Sequence, residues 1–167
     1  MKTKDIVIMG ALIAISAVLS MIKISALGSV ALDALPAFLA LYLFRDNKGV
    51  VVAFFGHIFS SAIAGFPLSL PVHILLAVIM GLIVFIGKIV LNNLDKHMNT
   101  FVAEVIVAII MFILNAFVSP LAAFISLPFS VPAYIGLVTM LWLASLINVG
   151  GALVLSIPLK PVVKNNG

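Results

Sequence analysis

Hydrophobic positions in this chain gather into long uninterrupted runs separated by short groups of charge, glycine and proline. Ile6 to Ile22, Gly49 to Gly65, Val72 to Leu91, Phe101 to Val118 and Pro132 to Ile157 are each predominantly apolar. An apolar run of about 17 to 25 residues is what a helix needs to cross a hydrocarbon core of about 30 Å. A shorter segment, Asp33 to Phe44, would rise only about 18 Å as a helix, so it starts either nearer Val30 or below the membrane surface. The pattern predicts an all-α integral membrane protein: a bundle of six transmembrane helices forming a single transmembrane domain over residues 1–167.

Composition supports this and removes other classes. Hydrophobic residues make up 65% of the chain and charged residues 8%, far from the composition of a soluble domain. No soluble catalytic or nucleotide-binding domain remains beside the spans, so energy for any transport must come from a gradient or from partner subunits. The first run lacks a small-x-small cleavage site and is expected to be a retained helix. With no cysteine there is no disulfide, thiolate nucleophile or thiolate metal site. The net charge of +4 comes from scattered single cations, not a basic face, which excludes a nucleic-acid surface.

Those cations report topology. Lys2, Lys4, Arg45, Lys48, Lys88, Lys96, Lys160 and Lys164 fall on one side of the six-span arrangement and Lys23 alone on the other. The positive-inside rule then places the N and C termini in the cytoplasm. Lys88 and Glu104 should meet, or snorkel, at the cytoplasmic ends of the fourth and fifth spans, and Arg45-Asp46-Asn47-Lys48 and Asp95-Lys96-His97 are expected to be solvated turns.

The stretch from Lys23 to Pro36 carries the two charges of the outward side, Lys23 and Asp33. Asp33, three residues before Pro36, fits a helix N-cap as well as a ligand contact. Lys23, Asp33, His73, Asn115 and Tyr134 should lie near the outer ends of their spans, with His57, Trp142 and Asn148 deeper. Polar side chains in a membrane are costly unless they pair or face a cavity, so their convergence on one side predicts a binding site. His57 also fits an interhelical hydrogen bond, Trp142 packing against lipid, and Asn148 a bond to a backbone carbonyl. His57 and His73 are expected at different depths with no acidic pair beside them, which disfavours a metal site. No catalytic triad, zinc motif or phosphate loop is present. In the first span Gly10 and Ala14, joined by Ala17, form a small-residue face suited to close helix approach, within the bundle or against another subunit.

Three segments carry a resemblance: Gly10-Ala11-Leu12-Ile13-Ala14, Val30-Ala31-Leu32-Asp33-Ala34-Leu35-Pro36-Ala37-Phe38, and Gly65-Phe66-Pro67-Leu68 with Leu70-Pro71-Val72-His73. With the small size and six spans, the chain resembles the substrate-binding S components of energy-coupling factor (ECF) vitamin transporters of the prokaryotic cell membrane. The resemblance implies a lipid-embedded subunit, without cofactor or ATPase site, that captures a small water-soluble vitamin or precursor outside the cell. It implies a coupling-subunit interface at Gly10, Ala14 and Ala17, with two ATPase subunits supplying energy. The implied pocket is closed by the first outer loop and maps onto Lys23 to Asp33, His73, Asn115, Tyr134, Trp142 and Asn148. The Asp33 and His73 segments most resemble members proposed to take up α-ribazole or a related cobalamin precursor; pantothenate and pyrimidine or pyridoxine precursors stay open. From the residues alone, a proton-coupled secondary carrier using Asp33 or His57, and a structural membrane protein, are the other readings.

Overall fold

The computed structural model describes residues 3–22, 32–126 and 130–165. Among them are six helices and no strand: α1 (Thr3–Ser20), α2 (Leu35–Phe44), α3 (Lys48–Ile63), α4 (Leu70–Leu94), α5 (Thr100–Ser126) and α6 (Val131–Asn165). Four of them, α1, α4, α5 and α6, are long and apolar enough to cross a membrane; α2 and α3 are shorter. Exposed Ile, Leu, Val and Phe side chains cover the outer surface of the bundle. That surface suits lipid and would be an aggregation hazard in water. The predicted outer loop beginning at Lys23 lies outside the described residues.

Helix α2 stands at the centre. Every side chain from Pro36 to Tyr42 is buried, because α1, α3, α4 and α6 all pack on it. Around it the remaining helices follow one another in contact: α1 on α3, α3 on α4, α4 on α5, and α5 on α6. Phe38, Leu41 and Tyr42 of α2 meet Val52 of α3, Val84 and Leu91 of α4 and Met111 of α5 in one apolar core. Close backbone approach requires glycine at two points. A Cβ on Gly49 would lie 3.1 Å from the Ala37 carbonyl and the Leu41 amide of α2, and one on Gly56 would lie 2.8 Å from Ser16 Oγ of α1. At that second crossing Ser60 Oγ donates to the Ser16 carbonyl at 3.2 Å.

Both ends of α2 are satisfied by other parts of the chain. Asp33 does not cap it: Ala34 holds the cap position and no local side chain bonds there. Instead the Leu35 amide donates to Asn148 Oδ1 of α6 at 2.8 Å. Pro36, in the first turn, has no N–H to satisfy. At the other end Arg45 takes a left-handed conformation (φ 55°), its amide donating to Leu41 O at 3.0 Å, and its carbonyl accepts from Asn92 Nδ2 at 3.2 Å.

Charges cluster at that second end and tie the bundle together. Arg45 Nη2 bonds Glu104 Oε1 of α5 at 2.8 Å while Nη1 bonds Asp95. Lys160 of α6 bonds the other oxygen of Glu104, whose side chain is fully buried. Lys48 pairs with Asp46 and, at 3.1 Å, with Asp5 of α1. Of the two arrangements expected for Lys88, pairing with Glu104 is not found; Lys88 donates to Asn47 Oδ1 at 2.7 Å. The Arg45 to Lys48 group is thus a clamp between helices, not a solvated turn. The Thr100 hydroxyl donating to Asp95, with Arg45 beside it, holds the Asp95 carboxyl below the usual carboxylate range.

Two predicted boundaries move. The fifth and sixth spans were expected to end at Val118 and Ile157, yet α5 runs on through Pro120 to Ser126, and α6 through Pro158 and Pro161 to Asn165. A proline removes one intrahelical donor, and a helix embedded among others tolerates that loss because neighbouring groups re-satisfy the freed carbonyl. The clamp gives a direct expectation. Glu104→Ala leaves Arg45 and Lys160 facing each other without their shared acid and should cost about 3 kcal/mol or more. Thermal unfolding in detergent would read this as a clear fall in melting temperature, with Glu104→Gln intermediate.

Candidate functional site

A cavity of about 430 Å³ opens at the end of the bundle opposite the charge clamp, between the start of α2 and the facing sides of α3, α4, α5 and α6. Much of its lining is apolar, with Leu76 and Met80 from α4 and Leu137, Leu141 and Ala144 from α6. Polar groups enter from two sides: Asp33, His57 and His73 on one, Asn115, Ser119 and Asn148 on the other. A mostly apolar concavity with a few placed polar groups is the usual form of a small-molecule site.

The first polar side is a connected chain. His57 Nδ1 lies 3.4 Å from Asp33 Oδ2, and His57 Nε2 lies 3.3 Å from His73 Nδ1. Ser61 Oγ is 2.9 Å from the same His73 nitrogen, and the Leu68 amide donates to His73 Nε2 at 3.4 Å. The Leu68 amide can only donate, so Nε2 of His73 accepts and its Nδ1 carries the proton. That proton faces Ser61 Oγ at 2.9 Å, with Nε2 of His57 farther off at 3.3 Å; with Nε2 as an acceptor, Nδ1–H of His57 faces the Asp33 carboxylate. One choice of tautomers is therefore consistent with the whole chain, with Asp33 at its end.

The turn between α3 and α4 supports this side. Gly65, Phe66 and Ser69 all have positive φ, of 75°, 49° and 87°, a conformation that costs a non-glycine residue roughly 1–3 kcal/mol. It brings Pro67 and Leu68 to the cavity wall and sets the Phe66 ring 5.9 Å from that of His73. The histidines were expected at different depths and are instead neighbours. His57 is six residues before the end of α3 and His73 three after the start of α4, a difference of only about 5 Å along the helices. Among the described residues no group of three His, Asp or Glu could hold a metal ion.

On the second side, Asn115 Nδ2 donates to Ser145 Oγ at 2.9 Å and Ser119 Oγ donates to Asn115 Oδ1 at 3.2 Å. Asn148 Nδ2 donates to the Ala144 carbonyl at 2.8 Å while its Oδ1 holds α2. Of the eight residues expected at the site, Asp33, His57, His73, Asn115 and Asn148 line the cavity. Lys23 falls outside the described residues. Tyr134 lies a turn away, half-buried with its ring 4.6 Å from that of Phe124. Trp142 is 44% exposed on the outer surface, packed on Phe117 of α5 with ring centroids 5.2 Å apart. Leu137, Leu141, Ala144 and Asn148 mark the inner stripe of α6, and Trp142 is about 100° round from Leu141.

Ser61, Ser119 and Ser145 were not expected at this site. Each stands three or four residues from a polar residue that was, which puts it on the same helix face; that spacing was the available signal. The apolar lining had none, since a leucine facing a cavity and one facing lipid look alike in sequence.

Residues 1–164 match the family described as ECF-type riboflavin transporter, S component. The chain belongs to this family. No curated protein and no solved structure matches it. The S component is a substrate-binding subunit of a transporter, a multi-pass membrane protein that works with an energising membrane module and is not itself an enzyme. Its cavity depends on one bond in particular. Asn148→Leu keeps the branched side-chain shape but leaves the buried Leu35 amide without an acceptor, at a cost of roughly 1–3 kcal/mol. Melting measured in detergent should fall accordingly, while Trp142→Leu, on the outer surface, should leave ligand binding unchanged.

Proposed function

We propose that this S component captures a fused aromatic ring compound carrying a polyol arm, from outside the cell, for ATP-driven import. Two compounds of that form are at hand: the riboflavin of the family's description, and the α-ribazole to which the Asp33 and His73 segments point. Both join a dimethylated benzo ring to a five-carbon sugar or sugar alcohol. The observation that carries the reading is the mixed lining of the cavity, in which Leu76, Met80, Leu137 and Leu141 stand beside the polar residues Asp33, His57, His73, Asn115 and Asn148. The apolar lining suits the methylated ring and the polar groups suit hydroxyls.

In this reading all six helices traverse the membrane and both termini are cytoplasmic. Arg45, Lys48, Lys88 and Lys160 gather at the clamp end, as expected of a cytoplasmic side, so the cavity opens outward. Helix α1 presents the coupling surface. Gly10 and Ala14 are exposed, Ala17 is half-buried, and a Cβ on Gly10 would meet nothing within 4 Å. That face is therefore not packed inside this bundle and is open to the coupling subunit of the transporter.

The purified protein should bind riboflavin or α-ribazole in detergent, measured by calorimetry against a panel that includes pantothenate and pyridoxine. Binding of a panel member lacking the ring-and-polyol form, with neither of these two bound, would overturn the substrate assignment. Uptake into liposomes should require the coupling subunit and both ATPases; uptake by this chain alone, driven by a proton gradient, would overturn the subunit role. Gly10→Trp or Ala14→Trp should abolish co-purification with the coupling subunit while leaving ligand affinity nearly unchanged.

A further inference from the structure

The turn that joins α3 to α4 is held against the cavity by few bonds. Gly65, Phe66 and Ser69 have positive φ, and Pro67 and Leu68 between them line the cavity. A non-glycine residue keeps such a conformation only where its surroundings over-determine it. Backbone bonds hold the flanks of the turn: the Phe66 amide donates to the Ser61 carbonyl at 2.8 Å, and the Ser69 amide to the Phe66 carbonyl at 2.9 Å. In the segment that lines the cavity, the Leu68 amide donates to Nε2 of His73 at 3.4 Å.

That bond needs a lone pair on His73. A neutral imidazole has one acceptor nitrogen and an imidazolium has none, so a proton gained by His73 sets two N–H groups against each other at Leu68. A proton gained by His57 instead puts an N–H on its Nε2, 3.3 Å from Nδ1–H of His73. Moving the His73 proton to its Nε2 relieves that opposition and creates the one at Leu68. Asp33, just before α2, stands 3.4 Å from His57 Nδ1 and gives a charge on the pair its counter-ion. From the other elements the described lining presents only uncharged polar groups, Asn115 and Ser119 of α5 and Asn148 of α6, and Ser61 of α3 meets His73 at 2.9 Å. We infer that His73 is a positioning residue for capture: the neutral His57–His73 pair latches the α3–α4 turn as the rim of the cavity, and one proton on the pair releases it. Binding is then tight in neutral surroundings and weakens as the pH falls through the range in which imidazole gains charge, about 8 to 5. By reciprocity, capture within that range expels a proton. The inference rests on the proposed function only in taking this cavity as the ligand site.

Two readouts test this, one of them without ligand. The chain has no cysteine, so Leu70→Cys, exposed at the start of α4 beside the turn, carries a single nitroxide spin label on the full chain in detergent. With no ligand present, the label should be more mobile at about pH 5 than at about pH 8. His73→Gln offers Leu68 an amide oxygen at every pH and should remove that response. The second readout is calorimetry with riboflavin, α-ribazole, pantothenate and pyridoxine. The compound that binds should lose at least about tenfold in affinity at the lower pH, as the latched fraction falls to about a tenth. In His73→Gln the loss should shrink to less than about threefold, whereas a loss due to titration of the ligand itself would persist.

A label equally mobile at both pH values overturns the latch, and so does a response that His73→Gln leaves intact. A responding label together with an affinity that does not fall, or falls equally in His73→Gln, overturns the role in capture. If the compound that binds lacks the ring-and-polyol form, the substrate assignment fails while the same pH comparison on that compound still decides the latch. Binding of no compound overturns the role in capture along with the proposed function. The label response with His73 in place decides the matter even where His73→Gln does not fold.

Discussion

A short helix buried on every side of a membrane protein must find partners for both of its ends inside the protein, because lipid offers none. Helix α2 is such a helix, and much of the structure follows from meeting that requirement. At its start the free amide is taken by Asn148 from α6. At its end the chain reverses at Arg45, whose carbonyl is met by Asn92 and whose side chain reaches Asp95 and Glu104. An unmet amide or carbonyl there would cost roughly 1–3 kcal/mol. The two solutions have different consequences: the charged one locks an end of the bundle, and the neutral one leaves room for a cavity.

Asn148 belongs to both the fold and the site. Its carbonyl oxygen holds α2 in place while its side chain lines the cavity wall. The opposite wall is likewise structural before it is chemical. The Asp33–His57–His73 chain joins the approach to α2 with α3 and α4, and ends on an amide of the strained turn that shapes the rim.

How much of this was legible in the sequence depends on the physical signal involved. Hydropathy over 18 or more residues identifies α1, α4, α5 and α6 directly, since nothing else in a compact protein needs such runs. Asn115, Asn148, His57 and His73 stood out because a polar group amid lipid-length apolar sequence demands a partner. Three things could not be read. Pro120 looks like a helix end because in water it usually is one. Trp142 looks like a pocket aromatic because a span that is apolar on all faces carries no mark of its inner side. The partners of Glu104 were hidden for a different reason: Arg45 and Lys160 lie 59 and 56 residues away along the chain, and only packing brings them together.

The helices also differ in length in an ordered way. On one flank α1 packs on α3, with 18 and 16 residues; on another α5, of 27 residues, packs on α6, whose apolar stretch alone has 30. In length these are about 27 and 24 Å against about 40 and 45 Å. A bilayer core of about 30 Å matches the first pair closely and falls well short of the second. The surrounding lipid can stretch beside α5 and α6, or the protein can lean until their apolar span fits, and each ångström of mismatch left over costs a fraction of a kcal/mol. Unequal helix lengths thus make the fit to the bilayer uneven around the bundle, and packing between helices with the charges at the clamp end decides how it is met.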